Sequence, residues 1–217
     1  MSSSVQGGSS QRGSKKTWAI TAIGVGAVLA AIAIDTTVVV VGSDQDLRQQ
    51  AFDPNAYGAK EFPRIQSLVV DRAVDAVELS KKIAADKSAA EKEFATKAGV
   101  FPVFPVKFDG VVGEGKSGIF EVTIEGLPEG TVIRVQSGPA INGTELRDIP
   151  GDIEFGQFTN QIEYQNVGAG INKAMSQTVL VDLERDELTG KSVSVAGAFT
   201  MINPKNWLVT PVKFDVK

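Results

Sequence analysis

Apolar and polar residues follow three different patterns along this chain, and each predicts a different kind of element. From Trp18 to Ile34 there is no alternation at all: seventeen residues without a charge, preceded by Arg12, Lys15 and Lys16 and closed by Asp35. As a helix this run spans about 25 Å, slightly short of the roughly 30 Å hydrocarbon core. Continuing through Val38–Val41 makes it long enough and leaves Asp35 near an interface. The pattern predicts a transmembrane signal anchor over 17–42, after a disordered Ser/Gly/Gln-rich cytoplasmic leader at 1–16. Basic residues before the segment and Asp35, Asp44 and Asp46 after it place the body outside the cytoplasmic membrane. Two other readings stay open. Ala31-Ile32-Ala33 fits a small-x-small cleavage site, and the run could be a buried core helix.

The second pattern is helical. Residues 43–64 read as a polar linker, broken at Phe52-Asp53-Pro54 and Phe62-Pro63. Ile65, Leu68, Val69, Ala73, Ala76, Val77 and Ile83 then recur at three- and four-residue steps, and Asp86 or Ser88 would cap a second helix ending at Gly99. The linker and a helical pair thus occupy 43–99.

From residue 100 onward the period becomes two. Val103–Val112 reads as a strand whose Pro105 suits an edge or a strand start. Phe120, Val122 and Ile124 make a second strand, and Val132, Ile133 and Val135 a third. Residues 158–183 read as a helix through Ile162, Val167, Ile171, Met175 and Val179, weakened by Gly168 and Gly170. Strands through Val193–Ala198 and Leu208–Val216 follow. The predicted fold is α+β: a small OB-like, five-stranded antiparallel barrel over 100–217, with its helix between strands 3 and 4. An open antiparallel sheet remains the alternative.

Composition narrows the chemistry. There is no Cys and no His among the 217 residues. Disulfides, thiol nucleophiles, a lipid-modified Cys, Ser-His-Asp triads and nearly all zinc sites are therefore excluded. Without the three cations and Asp35 of the first 42 residues, 19 basic and 25 acidic residues remain, a net charge of −6. Such a domain is a poor partner for nucleic acid or anionic lipid. No cofactor and no metal is expected.

Two motifs fail on context. Gly110–Ser117 reads G-V-V-G-E-G-K-S, but a phosphate-binding loop needs a helix after it, and here a strand follows. A Gly-rich hairpin is the better reading. No S-x-x-K or G-x-S-x-G occurs. Carboxylates such as Asp182, Glu184 and Asp186 stand out only as an acidic surface, and Asn142-Gly143-Thr144 is a sequon without a supporting context.

One dense polar patch is left. Gly138, Pro139, Gly143, Thr144, Arg147 and Asp148 form one half, and Asn160, Gln161 and Tyr164 the other, with Asn172 in helical register. G-P-x-x-x-G-T-x-x-R-D, then F-x-N-Q-I-E-Y, G-K-x-V-x-V-x-G-A-F at Gly190–Phe199 and the upstream F-D-P with Tyr57 closely resemble the predicted periplasmic lipoprotein family called domain of unknown function 2291. The resemblance covers Phe52 to the C-terminus. It implies a membrane-tethered exported protein, often one encoded beside sugar-type ABC transporters, with no established activity. Lacking Cys, this chain departs from the lipoprotein members, and the 17–42 segment would replace the lipid. The patch reads in two ways: a site for a neutral ligand such as a sugar or for transporter components, or a scaffold holding loop backbone. The leading function is a non-enzymatic accessory or binding component of the envelope. An envelope enzyme using carboxylates or Arg147/Asp148, and a purely structural protein, are the alternatives.

Overall fold

The computed structural model describes residues 52–217, which form one compact unit. The predicted leader and membrane segment lie outside the described residues. Helix α1 (Pro54–Arg72) starts inside the stretch read as a linker. Asp53 is its cap: the Asp53 carboxylate accepts from the amides of Asn55 at 2.8 Å and Ala56 at 3.2 Å, and Pro54 takes the first helical position. That is where a missing N–H costs nothing. Pro63 does not end the helix, because Phe62, Ile65 and Val69 are buried on one face while Pro63 and Ala59 are exposed. The Ala59 carbonyl, left without a helical donor, can meet water instead.

A two-residue strand β1 (Val74–Asp75) follows, then α2 (Ala76–Ala85) and α3 (Lys87–Phe94). Asp75 caps α2 and Asp86 caps α3, each through its carboxylate. The helical region thus holds three helices rather than a pair. It stops at Phe94 instead of Gly99, because Thr96 exchanges backbone hydrogen bonds with Val103.

Strands β2 (Val103–Lys116), β3 (Ile119–Thr123), β4 (Val132–Gln136), β5 (Ser192–Thr200) and β6 (Asn206–Val216) carry the alternating apolar residues. The sheet order is β1-β2-β3-β4-β6-β5, closed by β2 pairing with β5. The closure is the OB barrel, with two corrections to the predicted sheet. It has six strands, and two pairings are parallel: β1 with β2, and β4 with β6. A barrel whose last strand returns beside its third cannot be antiparallel throughout. Pro105 lies inside β2, two residues after Val103, whose amide turns to Thr96 rather than to β5. By the period of two, the Pro105 nitrogen turns the same way, and β1 pairs only from Val106. No ladder bond is lost.

The G-V-V-G-E-G-K-S segment runs along β2 into a two-residue hairpin turn. Ser117 and Gly118 there have φ of 56° and 75°. Two consecutive positive φ values match the twist of the flanking strands. No helix follows, so the rejected phosphate loop is a hairpin.

A short helix α4 (Glu145–Asp148) and the long α5 (Gln161–Val179) connect β4 to β5. In the core Trp207 stacks on Phe199 at 4.4 Å, and Phe199 on Phe104 at 5.6 Å. Helix α1 packs against α5 where Gly58 meets Gly170, so one of the two glycines that weakened the α5 prediction makes its crossing. Among the described residues no helix is long and apolar enough to cross a membrane.

Candidate functional site

The polar patch is assembled by the segment between β4 and α4. Gln136, buried at the end of β4, holds that segment in place. Its Nε2 donates to the Asn142 carbonyl and to Thr210 Oγ1, both at 2.8 Å, and its Oε1 accepts from the Asn142 amide at 3.0 Å. Arg185 Nε donates to the Ser137 carbonyl at 2.6 Å. Between these anchors the chain turns through a cis Gly138–Pro139 bond and two glycines with positive φ, Gly138 at 87° and Gly143 at 105°. At Gly143 a side chain would also collide with the Glu145 carboxylate.

Thr144, Arg147, Asp148 and Tyr164 form one cluster. Thr144 Oγ1 donates to Asp148 Oδ2 at 2.6 Å, and Arg147 Nε donates to Asp148 Oδ1 at 2.7 Å. The Arg147 guanidinium lies 4.0 Å from the Tyr164 ring centre and donates to the Tyr164 carbonyl at 3.3 Å. Its charge is thus buried, paired and stacked on an aromatic face. Asn172 donates from Nδ2 to the Gly143 carbonyl at 3.0 Å. Asn160 caps α5 by accepting from the Glu163 amide at 2.9 Å, and Glu163 reaches back to the Thr159 amide at 3.0 Å. That reciprocal arrangement is a capping box displaced by one residue. Gln161 is exposed on the first turn.

The ten predicted site residues therefore fall into four places. Thr144, Arg147, Asp148 and Tyr164 share the cluster around the buried Arg147, and Gly138 and Gly143 shape the loop. Asn160 and Gln161 begin α5. Pro139 and Asn172 meet at a cleft of about 220 Å³, whose lining also includes Ala169 and, with polar or branched side chains, Ile141, Lys173, Ser176 and Gln177. These last four were not singled out from the sequence. Lys173, Ser176 and Gln177 lie at one, four and five residues from Asn172, a single helical face that becomes meaningful only once the loop is known to pass over it.

A second unforeseen group lies beneath the loop. Glu145 is held by Thr200 Oγ1, donating at 3.2 Å, and by Thr210 Oγ1, donating at 3.4 Å. Burial raises its pKa above the ordinary carboxylate value; the two hydroxyls pull the other way, and nearby Asp148 adds to the rise. Glu145, Thr210 and Gln136 form one chain of hydrogen bonds from the barrel to the loop.

Elsewhere, Asp182 and Glu184 line a hollow of about 210 Å³ with Glu187 and Lys191, without Asp186. A wider concavity of about 680 Å³ by Asp75, Asp109 and Glu125 contains none of the predicted site residues. Among the described residues no cluster of His, Cys, Asp or Glu could hold a metal ion.

A family model described as predicted periplasmic lipoprotein matches residues 24–215, nearly the whole chain and all of this site. The chain belongs to the DUF2291 family. Membership places it among exported envelope proteins. None of the 217 residues of this DUF2291 member is a Cys that could carry a lipid. Among solved structures, it is similar to an OB-fold protein from Thermotoga maritima, with 18% identity and a TM-score of 0.63, covering 77% of this chain and 100% of that one. At that identity the likeness establishes the barrel and nothing about ligands. No curated protein matches the chain.

Proposed function

We propose that this DUF2291 protein is a non-catalytic accessory or binding component of the cell envelope. In this reading residues 17–42 tether it to the cytoplasmic membrane, and its exported barrel works beside a sugar-type ABC transporter. The loop from Gly138 to Asp148, with the adjoining face of α5, is its binding surface. One observation carries the reading: Arg147, Asp148 and Thr144 spend their polar atoms on one another and on Tyr164, and Asn172 binds the Gly143 carbonyl. Groups committed in this way hold a surface in a fixed shape, which lowers the entropy lost on binding. Catalytic groups would instead leave reactive atoms free to meet a substrate.

The test is affinity purification of the tagged full chain from solubilised membranes of its own cells. Recovery of transporter subunits is expected, and it should fall when Ser176→Arg places a bulky cation on the binding face. Repeated absence of any transporter subunit would overturn the association. Resistance of the full chain to carbonate extraction checks the tether separately.

A further inference from the structure

The cleft between the Gly138–Thr144 segment and α5 has a chemistry of its own. Asn172 is only 5% exposed, and its donation to the Gly143 carbonyl fixes its orientation, because a carbonyl can only accept. Its Oδ1 therefore turns away from Gly143. Among the described residues that oxygen has no protein partner and no sealed side-chain oxygen or nitrogen lacks one, so Oδ1 keeps access to solvent on a residue that lines the cleft. It is an acceptor waiting for a donor. Lys173, on the same wall, has no carboxylate within ion-pair distance among the described residues. Ser176 adds a hydroxyl one turn further on, and Pro139 and Ile141 make the opposite side apolar.

We propose that this cleft binds a small hydroxylated carboxylate of the size of a sugar acid. Its carboxylate sits on Lys173 Nζ, a hydroxyl donates to Asn172 Oδ1, and its carbon chain covers Pro139 and Ile141. The inference rests on the binding-component reading of this face. Each part of the lining rejects a competitor. An amine meets the Lys173 charge. A purely apolar ligand buries Asn172 Oδ1 without a donor, as does a carboxylate lacking hydroxyls. A neutral polyol satisfies Asn172 but covers the ammonium without an opposite charge. The volume of about 220 Å³ has room for a molecule of about six carbons.

The experiment is amide NMR on the isotopically labelled full chain in lipid nanodiscs, titrated with D-gluconate, D-glucose and acetate. D-gluconate is expected to shift the Gly143 and Ser176 amides and the Asn172 side-chain amide. Glucose and acetate should bind at least tenfold more weakly, and Lys173→Met should weaken gluconate at least tenfold. Lys173 is exposed, so the unchanged remainder of the spectrum verifies that the variant folds. Absent gluconate shifts at these groups, equal affinity for glucose, or full affinity in the Lys173→Met protein would each overturn the proposal. If those shifts fail while transporter subunits are still recovered from membranes, the ligand falls and the accessory role stands. The opposite result removes the partner and leaves the ligand.

Discussion

Substituting Gly170 by Ala tests whether the α1–α5 crossing is as close as it looks. A Cβ on Gly170 would lie 2.6 Å from the carbonyl carbon of Pro54 and nearer still to its oxygen, where ordinary contact is 3.4–4 Å. Both partners are backbone, so no side-chain rotation relieves the clash, and the helices must part by about 1 Å. A gap of that size forfeits about a quarter to a half of each dispersion contact across it. Phe62 and Ile65 on α1, and Val167 and Ile171 on α5, are buried residues of the two helices. Overpacking of this kind costs about 1–3 kcal/mol, and a clash against backbone belongs at the upper end. Replacing a mid-helix glycine returns about 0.9 kcal/mol of helix propensity. The expected net loss is about 2 kcal/mol, or about 6 °C in Tm for a domain of this size. Urea unfolding followed by circular dichroism measures it. Gly156→Ala is the control, since a Cβ there meets nothing within 4 Å, and it should change stability by less than about 0.5 kcal/mol. A Gly170→Ala protein as stable as the parent would refute the close crossing.

Three further outcomes follow from the site. Arg147→Met leaves the largely enclosed Asp148 carboxylate with only Thr144 to answer it, and loses the stacking on Tyr164; about 3 kcal/mol of stability should disappear in the same unfolding assay. Gln136→Leu removes the two hydrogen bonds that pin Asn142, together with the one to Thr210, so hydrogen exchange at the Asn142 amide should accelerate at least tenfold while the β5 and β6 amides stay protected. Glu145 gives the pH dependence: its pKa is raised in the folded protein by burial, so the native state holds its proton more tightly than the unfolded chain. Its contribution therefore favours folding at low pH and is lost as pH rises from the ordinary value of 4.5 through the raised one. Glu145→Gln should flatten that descending limb of the stability–pH curve, and an unaltered slope in the variant would count against the assignment.

Most barrel strands were legible because a strand with one face in the core must alternate, and Phe120, Val122, Val193 and Val195 do so. The helix caps at Asp86 and Asn160 were within reach of the same local rules, although only Asp86 was read as one. Asp53-Pro54 also carries a helix-start signal, although within a polar stretch with a second proline at Pro63 it reads as a break. Only the burial of Phe62 and Ile65 shows why the helix survives there. The two-residue β1 has no period to detect. Within the site, the motif residues of the Gly138–Asp148 and Asn160–Tyr164 segments were visible as a dense polar patch. Their division into a cluster around Arg147, a loop and a cleft was not visible, because it depends on which atoms each side chain reaches across the fold.

The sequence by itself determined what is local or compositional. It set the alternating strands and the amphipathic helices, and with them the order of elements that makes an OB barrel. It also excluded Cys and His chemistry and supplied the motifs that identify the family. Tertiary structure decided everything that depends on chain segments far apart meeting. The closure of β2 on β5, the glycine crossing of α1 and α5, the burial of Glu145 beneath Gly143 and the cleft that joins Pro139 to Asn172 are of this kind. A hydrogen bond such as Asn172 to Gly143 joins residues 29 apart, and no periodicity along the chain encodes which side of an amide is left facing solvent.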